Sequence, residues 1–226
     1  MKPITHTQLC ELATRWLKRP QSAGGPGCRI AFSEARSGHE GEIPDAIGFR
    51  YQGGHPLDGS TVVEVKVTRG DFLADRRKPH RNGDRVGLGR WRYYLCPQGV
   101  ITPDDLPDGW GLLLVTSRGG IKAAAGPAAQ LRYHNAKAAY GEYEKALLAM
   151  QFERSVEGEL FLMTEMLSRV GDPEALNQRL RAAEGANQRI LRDLDRRGEK
   201  IRALKTDLSN ARFELNQVRK QIAGAA

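Results

Sequence analysis

The sequence predicts an α/β layered domain followed by an all-α coiled-coil extension, and three observations carry that prediction. Residues 1 to about 125 hold short β-type runs between Gly and Pro turns, with helical stretches among them. From about residue 128 Pro almost vanishes, and Ala, Leu, Glu, Arg and Gln dominate. From Leu176 an alternating four–three spacing of apolar residues continues to Ile222 without a slip. The expected domains are therefore 1–125, a helical connector over 126–171, and a coiled-coil dimerisation helix over 172–226.

Taken in order, Thr5 to Lys18 reads as an amphipathic helix, with Thr5 or Thr7 as cap and Leu9, Leu12, Ala13, Trp16 and Leu17 as its apolar face. After a Gly/Pro loop, Arg29 to Glu34 alternates as a strand, and Ile43 to Phe49 is a second. Thr61 to Thr68 is the best strand: Val63, Val65 and Val67 face one way, and Glu64, Lys66 and Thr68 the other. Gly70 to Lys78 is expected to be a helix capped by Asp71. Trp91 to Cys96 and Gly111 to Thr116 are further strands, and Arg118 to Ala124 pairs with the latter across a tight turn. Helices follow from about Ala128 to Val170. Gly171-Asp172-Pro173-Glu174 then supplies a helix stop, an N-cap, an N1 proline and a first-turn acid.

In the final segment the seam positions are Leu176, Leu180, Ala183, Asn187, Ile190, Leu194, Arg197, Ile201, Leu204, Leu208, Ala211, Leu215, Val218 and Ile222. Twelve of these fourteen are apolar, which marks a coiled-coil seam rather than a globular helix face. Asn187 falls at an a position, where a buried amide fixes register and favours two parallel strands. Arg197 occupies a d position and is expected to snorkel. A long helix folding back on its own chain is the alternative.

Composition sets outer bounds. A hydrophobic content of 40 % supports a real core. No stretch approaches the roughly 18 consecutive apolar residues a membrane span needs, so no membrane partner is expected. Polar residues occupy the N-terminal region where a signal peptide carries its apolar core. Cys10, Cys28 and Cys96 are far apart, without a CxxC pair, which argues against a disulfide framework or a zinc site and fits a reducing cytoplasm. The formal net charge of +8 points to a polyanionic partner. It concentrates in Arg76, Arg77, Lys78, Arg81, Arg85, Arg90 and Arg92, opposed there by Asp84 alone. Such a run is either a solvated loop or, interleaved with Gly83, Gly87, Gly89, Trp91 and Tyr93, an arm that tracks a phosphate backbone.

The chemistry concentrates on Glu64 and Lys66. Two apart on a strand, they point to one face about 7 Å apart. Phosphodiester hydrolysis calls for a cation held by oxygen ligands and for a positive group beside the attacked phosphate. A carboxylate and an ammonium on a strand pinned by three valines answer both needs. Asp45, at the start of the preceding strand, offers a second carboxylate, and Val65 its backbone carbonyl. Glu-x-Lys alone is weak, because surface strands carry such pairs as simple ion pairs. The order adds weight: Pro44-Asp45 on a short strand, a turn region, then Glu-x-Lys in a valine-rich strand.

With that order the chain resembles the PD-(D/E)XK nuclease superfamily. More narrowly, Glu64-Val-Lys-Val-Thr-Arg-Gly-Asp-Phe72, followed by Asp75 and Lys78, is similar to its MmcB-like DNA-repair branch. The resemblance covers about residues 5–120. It implies a restriction-endonuclease-like αβα core, Mg²⁺ or Mn²⁺ as cofactor, DNA as substrate, and Asp45, Glu64 and Lys66 as the catalytic triplet. Asp45, Glu64, Val65 and Glu34 are the implied metal ligands, although Glu34 sits on a strand ten residues before the aspartate. Arg69 and Lys78 are expected phosphate contacts with the basic run. The expected protein is a metal-dependent deoxyribonuclease that works as a homodimer in DNA repair, recombination or phage–host DNA processing. Its rivals are an inactive nuclease fold that binds DNA as an accessory, and an interaction protein whose coiled coil is the functional part.

Overall fold

Short apolar runs, each ended by Gly, Pro or a polar turn, build one mixed sheet whose central strands are buried on both faces. The computed structural model describes residues 4–34, 42–55, 57–75, 86–131 and 136–223. Helix α1, His6–Lys18, starts at a reciprocal cap: the Gln8 N–H donates to Thr5 Oγ1 (3.3 Å) and the Thr5 N–H to Gln8 Oε1 (2.9 Å). The strands are β1, Ile30–Ser33; β2, Ala46–Arg50; β3, Gly59–Val65; β4, Trp91–Pro97; β5, Trp110–Val115; and β6, Ile121–Ala125. Between β3 and β4 lies α2, Arg69–Asp75. After β6 come α3, Pro127–Gln130; α4, Ala136–Ala149; α5, Val156–Val170; and α6, Pro173–Ala223.

The strands lie in sequence order. β1–β2, β2–β3 and β5–β6 are antiparallel, whereas β3–β4 and β4–β5 are parallel. Parallel neighbours need a crossover, and the β3–β4 crossover contains α2. Both sheet faces are covered. On one, Val63, Val65, Trp91, Tyr93, Leu95 and Leu113 pack against Leu9, Ala13, Trp16 and Leu17 of α1 and Tyr143 and Leu147 of α4. The other holds Phe72 of α2 against Tyr94, Cys96, Trp110 and Leu112, and Leu162 of α5 against Ile47, Val62 and Leu88. Each such large side chain contributes about 1.5–3 kcal/mol by leaving water. Gly48 is what lets α1 lie this close, since a Cβ there would stand 3.1 Å from Leu17 Cβ and 2.8 Å from Cys28 Sγ.

Three expectations shift. The cap of α2 is Thr68, not Asp71: the Asp71 N–H donates to Thr68 Oγ1 (3.2 Å), and Asp71 Oδ2 accepts from the Val67 N–H (3.2 Å). β3 ends at Val65, but the Lys66 N–H still donates to the Leu95 carbonyl (2.9 Å), so the backbone stays in register. The first compact unit runs to Leu167, well past the expected limit at 125. The residues of 126–167 reach the core because α4 supplies Tyr143 and Leu147, and α5 supplies Leu162 and Glu159. Buried Glu159 accepts from the Ser60 hydroxyl and from the Gly89 N–H (3.1 Å), and it pairs with Arg154.

The second compact unit, Ser168–Ala226, is dominated by α6. Gly171 turns left-handed (φ 69°), and Asp172 Oδ1 accepts from the Glu174 N–H (2.9 Å), giving the expected stop and cap. Its 51 residues span roughly 76 Å at 1.5 Å each. The seam residues Leu180, Ile190, Leu194, Ile201, Leu204, Leu208, Leu215 and Val218 are between 50 and 58 % exposed. Arg197 turns to Asp193 (3.0 Å) one turn back. Among the described residues, no helix is long and apolar enough to cross a membrane.

Candidate active site

Alternation on β3 determines the site's two layers. Val63 and Val65 enter the core beneath α1, and Glu64, across from Tyr94 on β4, faces the opposite way. Glu64, Lys66 and Asp75 are all at least 96 % buried. The Lys66 ammonium stands 3.2 Å from Asp75 Oδ1 and 3.8 Å from Glu64 Oε2. Tyr94 donates its hydroxyl to Asp75 Oδ2 (3.0 Å), and its ring lies 6.0 Å from Lys66 Nζ. Phe72 and Trp110 wedge the phenol on two sides, at 5.1 and 4.4 Å between centroids. One cation between two carboxylates is thereby held in a nearly water-free pocket, where electrostatic interactions are stronger than at a surface.

Asp45 sits one residue before β2, and the β2–β3 register sets it beside Glu64 at the same sheet end. Its Oδ2 accepts from the Val65 N–H (2.8 Å), which fixes the carboxylate. Its Oδ1 lies 3.2 Å from His6 Nε2 at the start of α1. Glu34 is placed one step past β1, in the left-handed region (φ 54°) where non-glycine residues rarely sit. Its N–H donates to the Asp45 carbonyl (3.4 Å), and its carboxylate reaches within 3.9 Å of His6 Nδ1. The strand expected to contain Glu34 thus stops at Ser33, and the turn aims the side chain at His6.

Cys10 lies one helical turn beyond His6, its Sγ 3.5 Å from His6 Nδ1. Burial first, then the charges of Asp45, Glu34 and Glu64, push its thiol up to about 12. The three carboxylates stand at the adjoining ends of β1, β2 and β3. Ligand-capable atoms of His6, Cys10 and Asp45 lie within 4.8 Å of one another.

The structure brings Glu34, Asp45, Glu64 and Lys66 to one sheet end. His6 and Cys10 join them without having been expected there, and so do Asp75, which follows the motif in sequence, and the Tyr94 hydroxyl. The position of Asp75 on the helix after the strand was a usable signal; the spacing of His6 and Cys10 is shared by any helix face. The basic residues divide differently. Arg69 makes a two-pronged pair with Asp105 and donates to the Val100 carbonyl (3.3 Å), which holds the Asp105 carboxyl well below its usual range. Arg90 donates to Gln151 and to the Asp58 carbonyl (2.6 Å), with its plane over Trp91. Arg92 is 7 % exposed, donating to the Gly89 carbonyl and lying 4.4 Å from the Phe152 ring. Arg90 and Arg92 are therefore engaged within the fold rather than displayed to a phosphate backbone. Arg76, Arg77, Lys78, Arg81 and Arg85 lie outside the described residues.

Compared with known protein families, curated proteins and solved structures, the chain matches none.

Proposed function

We propose that the protein is a metal-dependent nuclease of the PD-(D/E)XK type that hydrolyses DNA phosphodiester bonds and acts as a coiled-coil dimer. The observation that carries this reading is the meeting of Asp45, Glu64 and Lys66 at one end of two adjoining strands, with Lys66 buried between Glu64 and Asp75. The strand arrangement is compatible with a restriction-endonuclease-like core: a parallel pair follows an antiparallel hairpin whose strands hold the acids.

The carboxylates suit a divalent cation, since Asp45 and Glu34 both reach the His6 ring and the register sets Glu64 beside Asp45. Asp45, Glu64, the Val65 carbonyl and Glu34 would hold Mg²⁺ or Mn²⁺, which when bound offsets phosphate charge and eases deprotonation of water. In this reading Lys66 Nζ would donate to a phosphate oxygen or to the attacking water, and its burial would strengthen that bond. Asp75 keeps the ammonium from collapsing onto Glu64, and Tyr94 keeps Asp75 in place. The net charge of +8 favours a polyanion, and residues 76–85 hold the basic side chains that remain for backbone contact.

The dimer rests on α6. Its apolar stripe keeps the four–three spacing over most of its length, and Asn187 favours two parallel strands. A second reading, an interaction protein whose helix is the functional part, draws on that same exposed stripe.

The deciding experiment incubates the purified chain with single-stranded, duplex and branched DNA, and with RNA, in Mg²⁺, Mn²⁺ or EDTA. Metal-dependent cleavage is expected, and Asp45→Ala and Lys66→Ala should each lower it by about 100-fold or more. Cleavage that survives Lys66→Ala, or that needs no metal, overturns the assignment. Binding without cleavage favours the DNA-binding accessory.

A further inference from the structure

We infer that His6, Cys10 and Asp45, with Glu34 as the fourth ligand, form a site for a borderline transition metal ion of the zinc class. The site borders the proposed catalytic carboxylates and shares Asp45 and Glu34 with them, but it does not require the protein to cleave DNA.

The donor set is what separates it from a magnesium site. Mg²⁺ takes oxygen ligands in near-octahedral geometry, whereas nitrogen and sulfur donors select zinc and its neighbours in the first transition row. Four protein ligands of the types Cys, His, Asp and Glu match the tetrahedral preference of Zn²⁺. Bonds of about 2.0–2.3 Å at tetrahedral angles place neighbouring ligand atoms roughly 3.5 Å apart. Here Cys10 Sγ to His6 Nδ1 is 3.5 Å, His6 Nε2 to Asp45 Oδ1 is 3.2 Å, and His6 Nδ1 to Glu34 Oε1 is 3.9 Å. The imidazole presents different nitrogens to Cys10 and to Asp45, so a turn about its side-chain bonds must bring one of them to the centre. With the ligand-capable atoms of His6, Cys10 and Asp45 already within 4.8 Å of one another, the contraction required is small.

Local structure prepares each ligand. His6 and Cys10 are four apart on α1 and so share a face, and the cap at Thr5 orders the first turn. The Val65 N–H holds Asp45 Oδ2, which aims Oδ1 toward His6. Glu34 adopts a left-handed backbone that turns its side chain toward the same imidazole, and strain of this kind concentrates at ligand sites. Cys10 is buried at the back, while the His6 and Glu34 side chains are 44 and 63 % exposed, leaving an approach from solvent. The start of a helix carries about half a positive charge and works against a cation. Two full negative charges, on Asp45 and Glu34, outweigh it.

The test is a titration of the full chain with Co²⁺ as probe after chelator treatment, followed by absorption in the near ultraviolet and visible. The expected result is saturation near one equivalent, with a thiolate-to-cobalt charge-transfer band and d–d bands of tetrahedral intensity. Cys10→Ser should abolish the charge-transfer band, and His6→Ala should weaken binding by about tenfold or more. Because Cys10 is buried, folding of both variants is checked by circular dichroism; if Cys10→Ser does not fold, His6→Ala, at a half-exposed position, decides. No charge-transfer band in the natural chain, a band that persists in Cys10→Ser, or unchanged affinity in His6→Ala overturns the site. Cleavage in Mg²⁺ without the cobalt band removes this inference alone. A cobalt band that depends on His6 and Cys10, without cleavage of any nucleic acid, removes the nuclease reading alone.

Discussion

The two compact units treat polarity in opposite ways. In the sheet unit Glu64, Lys66 and Asp75 are withdrawn from water to 4 % exposure or less, whereas in the helical unit Leu180, Leu194 and Leu204 remain more than half exposed. Neither arrangement is what stability alone selects. Burying three ionisable groups incurs a desolvation cost that their mutual attraction only partly offsets, so similar-sized apolar residues would serve a purely structural role as well or better. A lone helix with an apolar stripe wastes the burial that stripe could provide. α6 also contains Gly185 and Gly198, each about 1 kcal/mol worse than alanine in a helix interior. The buried charges argue for chemistry and the exposed leucines for a second strand.

The contrast breaks most readily at the helix. Leu204→Asp would place two like charges in the proposed seam and should destabilise the dimer by on the order of 5 kcal/mol. Sedimentation equilibrium is expected to change from dimer to monomer, as it should for a chain ending near Gly171; unchanged masses would refute the zipper. Next in size is Asp75→Ala, which removes one of two partners from a buried ammonium. A loss of about 3 kcal/mol in urea unfolding is expected, at the low end for such a removal because Glu64 stays 3.8 Å away. If the loss is below about 1 kcal/mol, Lys66 is not held as described.

A smaller effect sharpens the picture of the core beneath α1. Burial pushes the Cys28 thiol up to about 12, whereas the unfolded chain releases that proton near 9.0. Stability is therefore complete below pH 9 and is lost as pH rises between 9 and 12, by up to about 1.4 kcal/mol per pH unit for this one group. Melting temperatures at pH 8 and pH 10, with reductant present, should differ more for the natural chain than for Cys28→Ala; equal differences would contradict a buried Cys28. Smallest is Thr5→Ala, which removes the cap of α1 and should cost about 1 kcal/mol. In the same variant Co²⁺ affinity should fall, because the cap orders the turn that contains His6.

Much of the sheet was legible because its strands obey simple periodicity. The valines of β3 assign Glu64 and Lys66 to a common face, and the register then sets Asp45 alongside. Glu34 was harder, since its placement depends on a left-handed turn that a Glu gives no reason to expect. His6 and Cys10 were hidden for a different reason. Their four-residue spacing is also that of any helix face, and the absence of a CxxC pair pointed away from metal. Asp75 was visible as an acid on the next helix, but its contact with Lys66 depends on how α2 folds back over β4. The packing of 126–167 with the sheet unit was hard to see, because its buried residues are spread over three helices, each with only one or two anchors such as Tyr143, Leu147 and Leu162. Arg90 and Arg92 look like an exposed basic run in one dimension, yet at the start of β4 they lie over Trp91 and Phe152.

The stack of Trp110 on Tyr94 gives the site an optical property as well as a mechanical one. Its indole is connected to Lys66 through two intervening groups, the stacked phenol and the Asp75 carboxylate. Trp16 and Trp91, the other two indoles, belong to the core on the opposite sheet face. A change of charge at Lys66 therefore alters the surroundings of one emitter and leaves two as a steady background. Tryptophan fluorescence should thus respond to a change at Lys66 through Trp110, without any added label.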